Sequence, residues 1–494
     1  MVLIIFALSI SALAGCRTFQ ALLEPSKLQY DYNWERAVKD LESEMIAQRK
    51  VDQKSKSLKS NDPAWGNIRK LQVDTSKPLA LVELIDIGLR NNPKTRQAWE
   101  STRLALAQEK QAESALYPQA TATMSLNREK IISNSNSGDA DNSNYGPDLK
   151  VTYLLLDFGG RGAKIDEMSQ MLVSENSKYN KSIQDMLLQV EKYYYELHSA
   201  QSDVEAKLAD VENTKVDYEA AQVRFSSGLS TKLDVLEAKA NYDDALYNLE
   251  GAKGDLKTAR ANLAQAVGLP ADTKFEIAPP VGEIPTDIKE EDVTELIEEA
   301  LKKRPDIASR LAQLKAKKAA LKSANSDLWP TLNFAGETYR NEYDYYKFNR
   351  QRNYDYEYTG TLSLEWDIFD GFNTIYKKRA AERQVDIEYN QLVQDELAAS
   401  SDVWIKYYNF NTAVEKLKYS RAFLDSASES YALAFESYNN GLKSILDLLQ
   451  SQSKLSDARS KLINSKKDVF VGLVELAHST GSLYVKSMPS KTGG

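Results

Sequence analysis

Few side chains in this 494-residue chain are of types that do acid–base, covalent or metal chemistry. His198 and His478 are the only histidines, and neither has a second ligand at metal-binding spacing. Both read as helix-packing or surface residues. Gly159-Gly160-Arg161-Gly162 is glycine-rich, but no Lys-Ser/Thr follows, so it reads as a flexible turn and not as a phosphate loop. Seven methionines and one cysteine do not make a soft-metal ladder. No acid, base and nucleophile stand together as an enzyme requires, so the expectation is no enzymatic activity and no cofactor. What does stand out is a pair of carboxylates. Asp234 and Asp447 close the phrases Phe225-Ser-Ser-Gly228-Leu-Ser-Thr-Lys-Leu-Asp234 and Tyr438-Asn-Asn-Gly441-Leu-Lys-Ser-Ile-Leu-Asp447. Taken singly, each is a solvated helix residue after a turn. Their recurrence calls for an account of the elements that carry them.

The recurrence is general. Pro93 and Pro118 return as Pro305 and Pro330 after 212 residues, and Gly228 and Gly268 return as Gly441 and Gly481 after 213. A period that long is not a solenoid repeat but a duplicated half-molecule. No proline occurs in 148–269 or 331–488, and no glycine between Gly162 and Gly228 or between Gly371 and Gly441. These stretches are rich in Ala, Leu, Glu, Lys and Gln, so each predicts one helix of some 65 residues, roughly 100 Å at ~1.5 Å per residue. Second helical runs return over about 231–266 and 443–480, giving each half a long hairpin turned at its glycine. Shorter pairs, 79–91 with 94–116 and 292–303 with 306–328, open the halves and are interrupted by Pro93 and Pro305.

Between the helices the period changes to two. Ala120, Ala122, Met124 and Leu126 share one face; so do Leu149, Val151, Tyr153 and Leu155; so do Leu332 and Phe334; and so do Leu362, Leu364, Trp366 and Ile368. Each half thus predicts two strands of roughly ten residues, the length of a tilted membrane-crossing strand. Residues 128–147 read as a polar loop. Residues 340–357 carry Tyr343, Tyr345, Tyr346, Phe348, Tyr354 and Tyr356, which with Tyr339, Tyr358, Trp329 and Trp366 suit an interfacial aromatic girdle. Four strands cannot close a barrel, and open edges in lipid leave N–H and C=O groups unpaired at several kcal/mol each. Further copies of the chain must complete the sheet.

Charge and targeting agree. A net charge of -8 disfavours nucleic acid. Beyond residue 16 no run reaches the ~20 apolar residues of a spanning helix. The apolar run Val2–Leu13 ends in Leu13-Ala14-Gly15-Cys16, which resembles a bacterial lipobox, and Cys16 is the only cysteine. No Lys or Arg precedes the apolar run. Lipidation at Cys16 is expected, and Arg17 after it resembles outer-membrane sorting.

Two halves of strand–strand plus helical hairpin, the two tip phrases, and Leu156-Asp157-Phe158-Gly159-Gly160 with Phe369-Asp370-Gly371 at the strand-to-helix junctions together resemble the TolC-type outer-membrane efflux proteins over about 79–482. The resemblance implies an α+β fold in which three protomers build a 12-strand β-barrel on a helical tunnel. It divides the chain into a lipoprotein signal peptide (1–15), an N-terminal equatorial segment (16–78), a first repeat (79–269), a linker (270–291), a second repeat (292–482) and a tail (483–494). It implies a periplasmic gate in which Tyr438 and Lys443 face Asp234 of a neighbouring hairpin and Asp447 forms an acidic ring at the aperture. Lys443 stands where arginine is usual, Leu233 where a hydroxyl is usual, and Gln450 replaces a second acidic ring. Gly228, Leu229, Ser230, Gly441 and Leu442 would be the tips on which a periplasmic adaptor docks, with an inner-membrane pump beyond. The implied function is a passive exit channel for small molecules in the Gram-negative outer membrane. Two alternatives remain: a channel for type I protein secretion, and a structural lipoprotein that spans the periplasm.

Overall fold

A computed structural model of the protein describes residues 77–131, 140–280, 293–345 and 352–483. The expected lipidation site Cys16, the signal peptide, nearly all of the N-terminal segment, half of the 270–291 linker and most of the C-terminal tail lie outside the described residues, as do Tyr346 and Phe348.

The first half runs α1 (Leu81–Asn91), α2 (Pro93–Glu113), β1 (Gln119–Ile131), β2 (Ala140–Leu156), α3 (Gly160–Ser226) and α4 (Lys232–Ala266). The second runs α5 (Val293–Lys303), α6 (Pro305–Ser326), β3 (Thr331–Tyr345), β4 (Arg352–Glu365), α7 (Asn373–Asn439) and α8 (Ile445–Ser479). Both α3 and α7 have 67 residues, and both α4 and α8 have 35. Pro93 and Pro305 open α2 and α6 at the first helical position, where the missing N–H needs no partner.

The duplication extends to the backbone. Phe158 and Phe372 take positive φ at the strand-to-helix junctions, beside Gly159 and Gly371. One turn further on, the Asp157 carboxylate accepts the Arg161 N–H at 2.5 Å, and its counterpart Asp370 accepts the Thr374 N–H at 2.7 Å, capping α3 and α7.

The strands form one antiparallel sheet in the order β1-β2-β3-β4. Register keeps the two faces apart. Tyr153 lies opposite Phe334 and Phe334 opposite Leu362, while Leu332 pairs with Leu364. On the other face, Lys150 lies opposite Glu337, Asn333 opposite Ser363 and Thr331 opposite Glu365. Met124, Leu126, Leu149, Leu362 and Leu364 are all exposed in a single protomer. Among the described residues β1 and β4 each have one strand partner, so both edges of the sheet are open.

Four details correct the sequence reading. The strands hold 13 to 17 residues and not ten. Most of 128–147 and of 340–357 is strand, because antiparallel pairing of β1 with β2 and of β3 with β4 continues through these polar residues. A bulge shifts the register between Leu154 and Leu156, so the alternation ends there and Leu155 and Leu156 are both exposed. β4 stops at Glu365, leaving Trp366 and Ile368 outside the strand; the Trp366 indole donates to the Leu328 carbonyl instead.

Helices pack around a core at mid-length. Leu84 of α1 meets Met186, Leu187, Val190, Tyr194 and Leu197 of α3 and Leu263 and Val267 at the end of α4, under Phe275 and Ile277. Burying each such Leu or Val side chain stabilises the fold by about 1.5–3 kcal/mol. A second cluster, nearer the turns, joins the two hairpins: Ala221, Val235 and Ala238 pack with Ala434, Tyr438, Ile445 and Leu448.

Candidate functional site

The site is built at the two hairpin turns, which use the same device. After α3, Gly228 takes φ 74° and the Leu229 N–H donates back to the Arg224 carbonyl at 2.8 Å; after α7, Gly441 takes φ 75° and the Leu442 N–H donates to the Ser437 carbonyl at 2.8 Å. The return helices then start on matching capping boxes. The Asp234 N–H donates to Thr231 Oγ1 at 3.2 Å and the Thr231 N–H to the Asp234 carboxylate at 2.9 Å. The Asp447 N–H donates to Ser444 Oγ at 3.3 Å, while the Ser444 N–H and Oγ–H reach the Asp447 carboxylate at 3.2 and 2.8 Å. The Ser444 hydroxyl and amide hold the Asp447 carboxyl below the usual carboxylate range, with Lys443 helping. Asp447 is exposed and stays ionised near neutrality.

The two tips are tied together within one protomer. Arg224 Nη1 donates to the carbonyl oxygens of Tyr438 at 2.8 Å and Asn439 at 3.0 Å, and the guanidinium lies 4.9 Å from the Tyr438 ring centre. These carbonyls end α7, where the helix dipole favours a cation. One heptad higher, the Tyr431 hydroxyl donates to Asp217 Oδ1 at 3.0 Å. Another heptad higher, Asp210 takes Arg459 Nη1 at 2.6 Å and the Ser456 hydroxyl at 2.5 Å. Three polar rungs thus cross from α3 to the second hairpin.

The expected gate residues fall into two groups. Lys443, Asp447, Gly228, Leu229, Gly441 and Leu442 are exposed at the tips, with Leu229 and Leu442 at 67% and 80% exposure; Asp234 and Ser230 are half-buried. Tyr438 packs against the helix that carries Asp234, and Asp234 acts on its hydroxyl. It is 2% exposed and faces its own protomer, because Arg224 and the Ala221–Ala238–Ala434 cluster enclose it. No ion pair joins Lys443 to Asp234 within one protomer among the described residues. Both aspartates serve first as helix caps, for which Thr231-x-x-Asp234 and Ser444-x-x-Asp447 were legible signals. Arg224 was overlooked; its signal was a cation in the last turn of a long helix.

A family model described as "Outer membrane efflux protein" matches residues 84–269 and 296–482, most of the chain and both halves. The chain belongs to the outer membrane efflux protein family. Members of this family are passive outer-membrane channels and not enzymes. Among curated relatives, it is 26% identical to Protein CyaE of Bordetella pertussis over 389 residues, covering 78% of this chain and 81% of that one. It is 23% identical over 423 residues to the outer membrane protein TolC of Vibrio cholerae, covering 82% and 91%. It is 22% identical over 419 residues to the alkaline protease secretion protein AprF of Pseudomonas aeruginosa, covering 82% and 85%. Among solved structures, that of the outer-membrane channel OprN superposes with a TM-score of 0.74 at 19% identity, covering 81% of this chain and 90% of the other. The α+β channel fold, with a small antiparallel sheet on long helices, follows from that likeness.

Proposed function

We propose that three copies of this chain assemble into a 12-strand barrel in the Gram-negative outer membrane, continued by the helical hairpins into the periplasm, and that small molecules leave the cell through it. The observation that carries this reading is the sheet: four strands with an apolar face in register, a polar face opposite, and two open edges. Only strand partners from other copies make such a sheet tolerable in lipid. Asp447 and Lys443, exposed at the second tip, would line the periplasmic aperture, with Asp447 favouring cations. Leu229 and Leu442 would meet a periplasmic adaptor, and an inner-membrane pump would supply the energy. Cys16 would carry the lipid anchor.

Planar-bilayer recording combined with cross-linking tests the channel. Trimers with defined single-channel currents are the expected result, and absence of current at every voltage would leave the structural-strut alternative. A second reading, export of protein, is favoured by the likeness to AprF, whose name describes protease secretion. Deleting the gene and measuring both drug susceptibility and the secreted protein profile separates the two: hypersensitivity with an unchanged profile supports small-molecule efflux.

A further inference from the structure

Asp217 is the one carboxylate among the described residues with 0% relative exposure. It sits on α3 between the two hairpins, level with Tyr431 of α7. Its Oδ1 accepts the Tyr431 hydroxyl at 3.0 Å; its Oδ2 is buried and has no hydrogen-bond partner among the described residues. No cation pairs with it among the described residues. Arg459 of α8, whose charge acts on Tyr431, is taken up by Asp210 at 2.6 Å, and Arg224, on the same helix as Asp217, is taken up by the α7 carbonyls. The other ionisable groups that face the pair are Tyr438 of α7 and, through Tyr438, Asp234 of α4. The burial is complete within one protomer, so a neighbouring copy has no access to the group.

A carboxylate in this position is poorly stabilised, because a neutral phenol is its only hydrogen-bond partner. A carboxylic acid in the same place carries no net charge and keeps the Tyr431 bond. We propose that Asp217 is a proton-binding site that couples pH to the packing of the two hairpins, and hence to the periplasmic aperture. It rests on the channel reading above and adds a regulator to it.

The sign follows from linkage. Burial pushes the Asp217 carboxyl up to about 7, with the Tyr431 bond opposing. When the hairpins separate and water reaches the group, it returns toward its ordinary value near 3.8. The packed form therefore binds the proton more tightly. Packing is fully favoured below the ordinary carboxylate value, loses stability as pH rises through the interval up to about 7, and loses nothing further above it. Acid closes; neutral pH loosens.

The test is single-channel recording of the full-length trimer between pH 5 and pH 8. In wild type, conductance should rise severalfold with pH, with a midpoint near neutrality. Asp217→Asn keeps the shape and cannot ionise, so it should stay at the low level across the range. Tyr431→Phe removes the one bond that favours the charged form, so its midpoint should move upward. Glu191, also pushed up to about 7 by burial, lies roughly 40 Å along α3 at ~1.5 Å per residue, and Glu191→Gln should leave the profile in place. If Asp217→Asn keeps the wild-type pH profile, or if Glu191→Gln abolishes it, the proposal is wrong. If Asp217→Asn fails to assemble, the Tyr431→Phe midpoint decides alone. No current at any pH would instead count against the channel itself.

Discussion

Arg224 holds the end of the opposite hairpin through Tyr438: the guanidinium donates to the Tyr438 carbonyl at 2.8 Å while lying against the face of the same residue's ring. The repeat mate of Arg224 is Ser437, so the strap exists once per protomer and is not duplicated with the turns. It orients Tyr438 inward and thereby fixes where the turn at Gly441 emerges. Hydrogen bonds from a charged donor contribute about 1.5–3 kcal/mol each. Arg224→Ala should therefore free the second tip and raise single-channel conductance, without loss of trimers on gels. Arg224→Lys, which lacks the planar fork and stacks less well, should fall in between. Conductance at wild-type level in Arg224→Ala would show that the strap does not set the aperture.

Asp447 caps α8, and under the proposed channel it also charges the aperture; the two duties can be separated. Ser444→Ala removes the hydroxyl that caps α8 but keeps the charge, so it should lower the thermal midpoint by the equivalent of about 1 kcal/mol and leave cation preference intact. Asp447→Asn keeps much of the cap but removes the charge, so it should abolish cation preference while stability stays near wild type. Reversal potentials under a salt gradient measure the first property and heat-induced trimer dissociation the second. If both variants changed selectivity alike, Asp447 would not be the charged ring. Because the capping bonds hold its carboxyl low, cation preference should persist through mildly acid pH and fade only as pH falls through that lowered value.

Glycines at positive φ offer a graded stability test. A Cβ on Gly268 would lie 2.7 Å from the Asn91 carbonyl oxygen, and one on Gly481 3.0 Å from the Arg304 nitrogen; on Gly228 it would meet nothing within 4 Å. Gly228→Ala should show only the left-handed backbone strain of about 1–2 kcal/mol. Gly268→Ala and Gly481→Ala add a clash with backbone that cannot turn aside, and should lose about 3 kcal/mol or more. Urea midpoints in detergent check the order. Equal losses at Gly228 and Gly268 would mean that the packing against α1 is slack.

Much of this was legible because the governing signals are local. The absence of Pro and Gly between Gly162 and Gly228 marks α3, and alternation from Gln119 to Leu126 marks β1. The duplicated phrases at Gly228 and Gly441 place both turns. What stayed hidden depends on three-dimensional pairing. Arg224 and Tyr438 are 214 residues apart, as are Asp217 and Tyr431, and nothing in either neighbourhood says that the two helices meet. The resemblance sets Tyr438 against Asp234 of a neighbouring hairpin, but the Arg224 strap that encloses it leaves no local mark; one helical turn back, Ala434 marks the buried stripe. The bulge at Leu155 breaks an alternation that composition alone would have continued.

The two faces of β1 give the most direct test of the membrane assignment. Met124 lies on the apolar face and is 75% exposed in one protomer, whereas its neighbour Thr123 points to the other side. If the apolar face meets lipid, Met124→Arg places a charge in hydrocarbon at about 2–4 kcal/mol per copy near mid-depth, tripled in a trimer. Membrane-extracted trimers should then fall to a small fraction of wild type. Thr123→Arg places the same charge in a water-filled interior, so trimers should form normally and the pore should shift toward anions. The pair shares strand, size and charge, and differs only in which way the pleat points. Equal tolerance of both substitutions would mean that neither face of the sheet is in lipid.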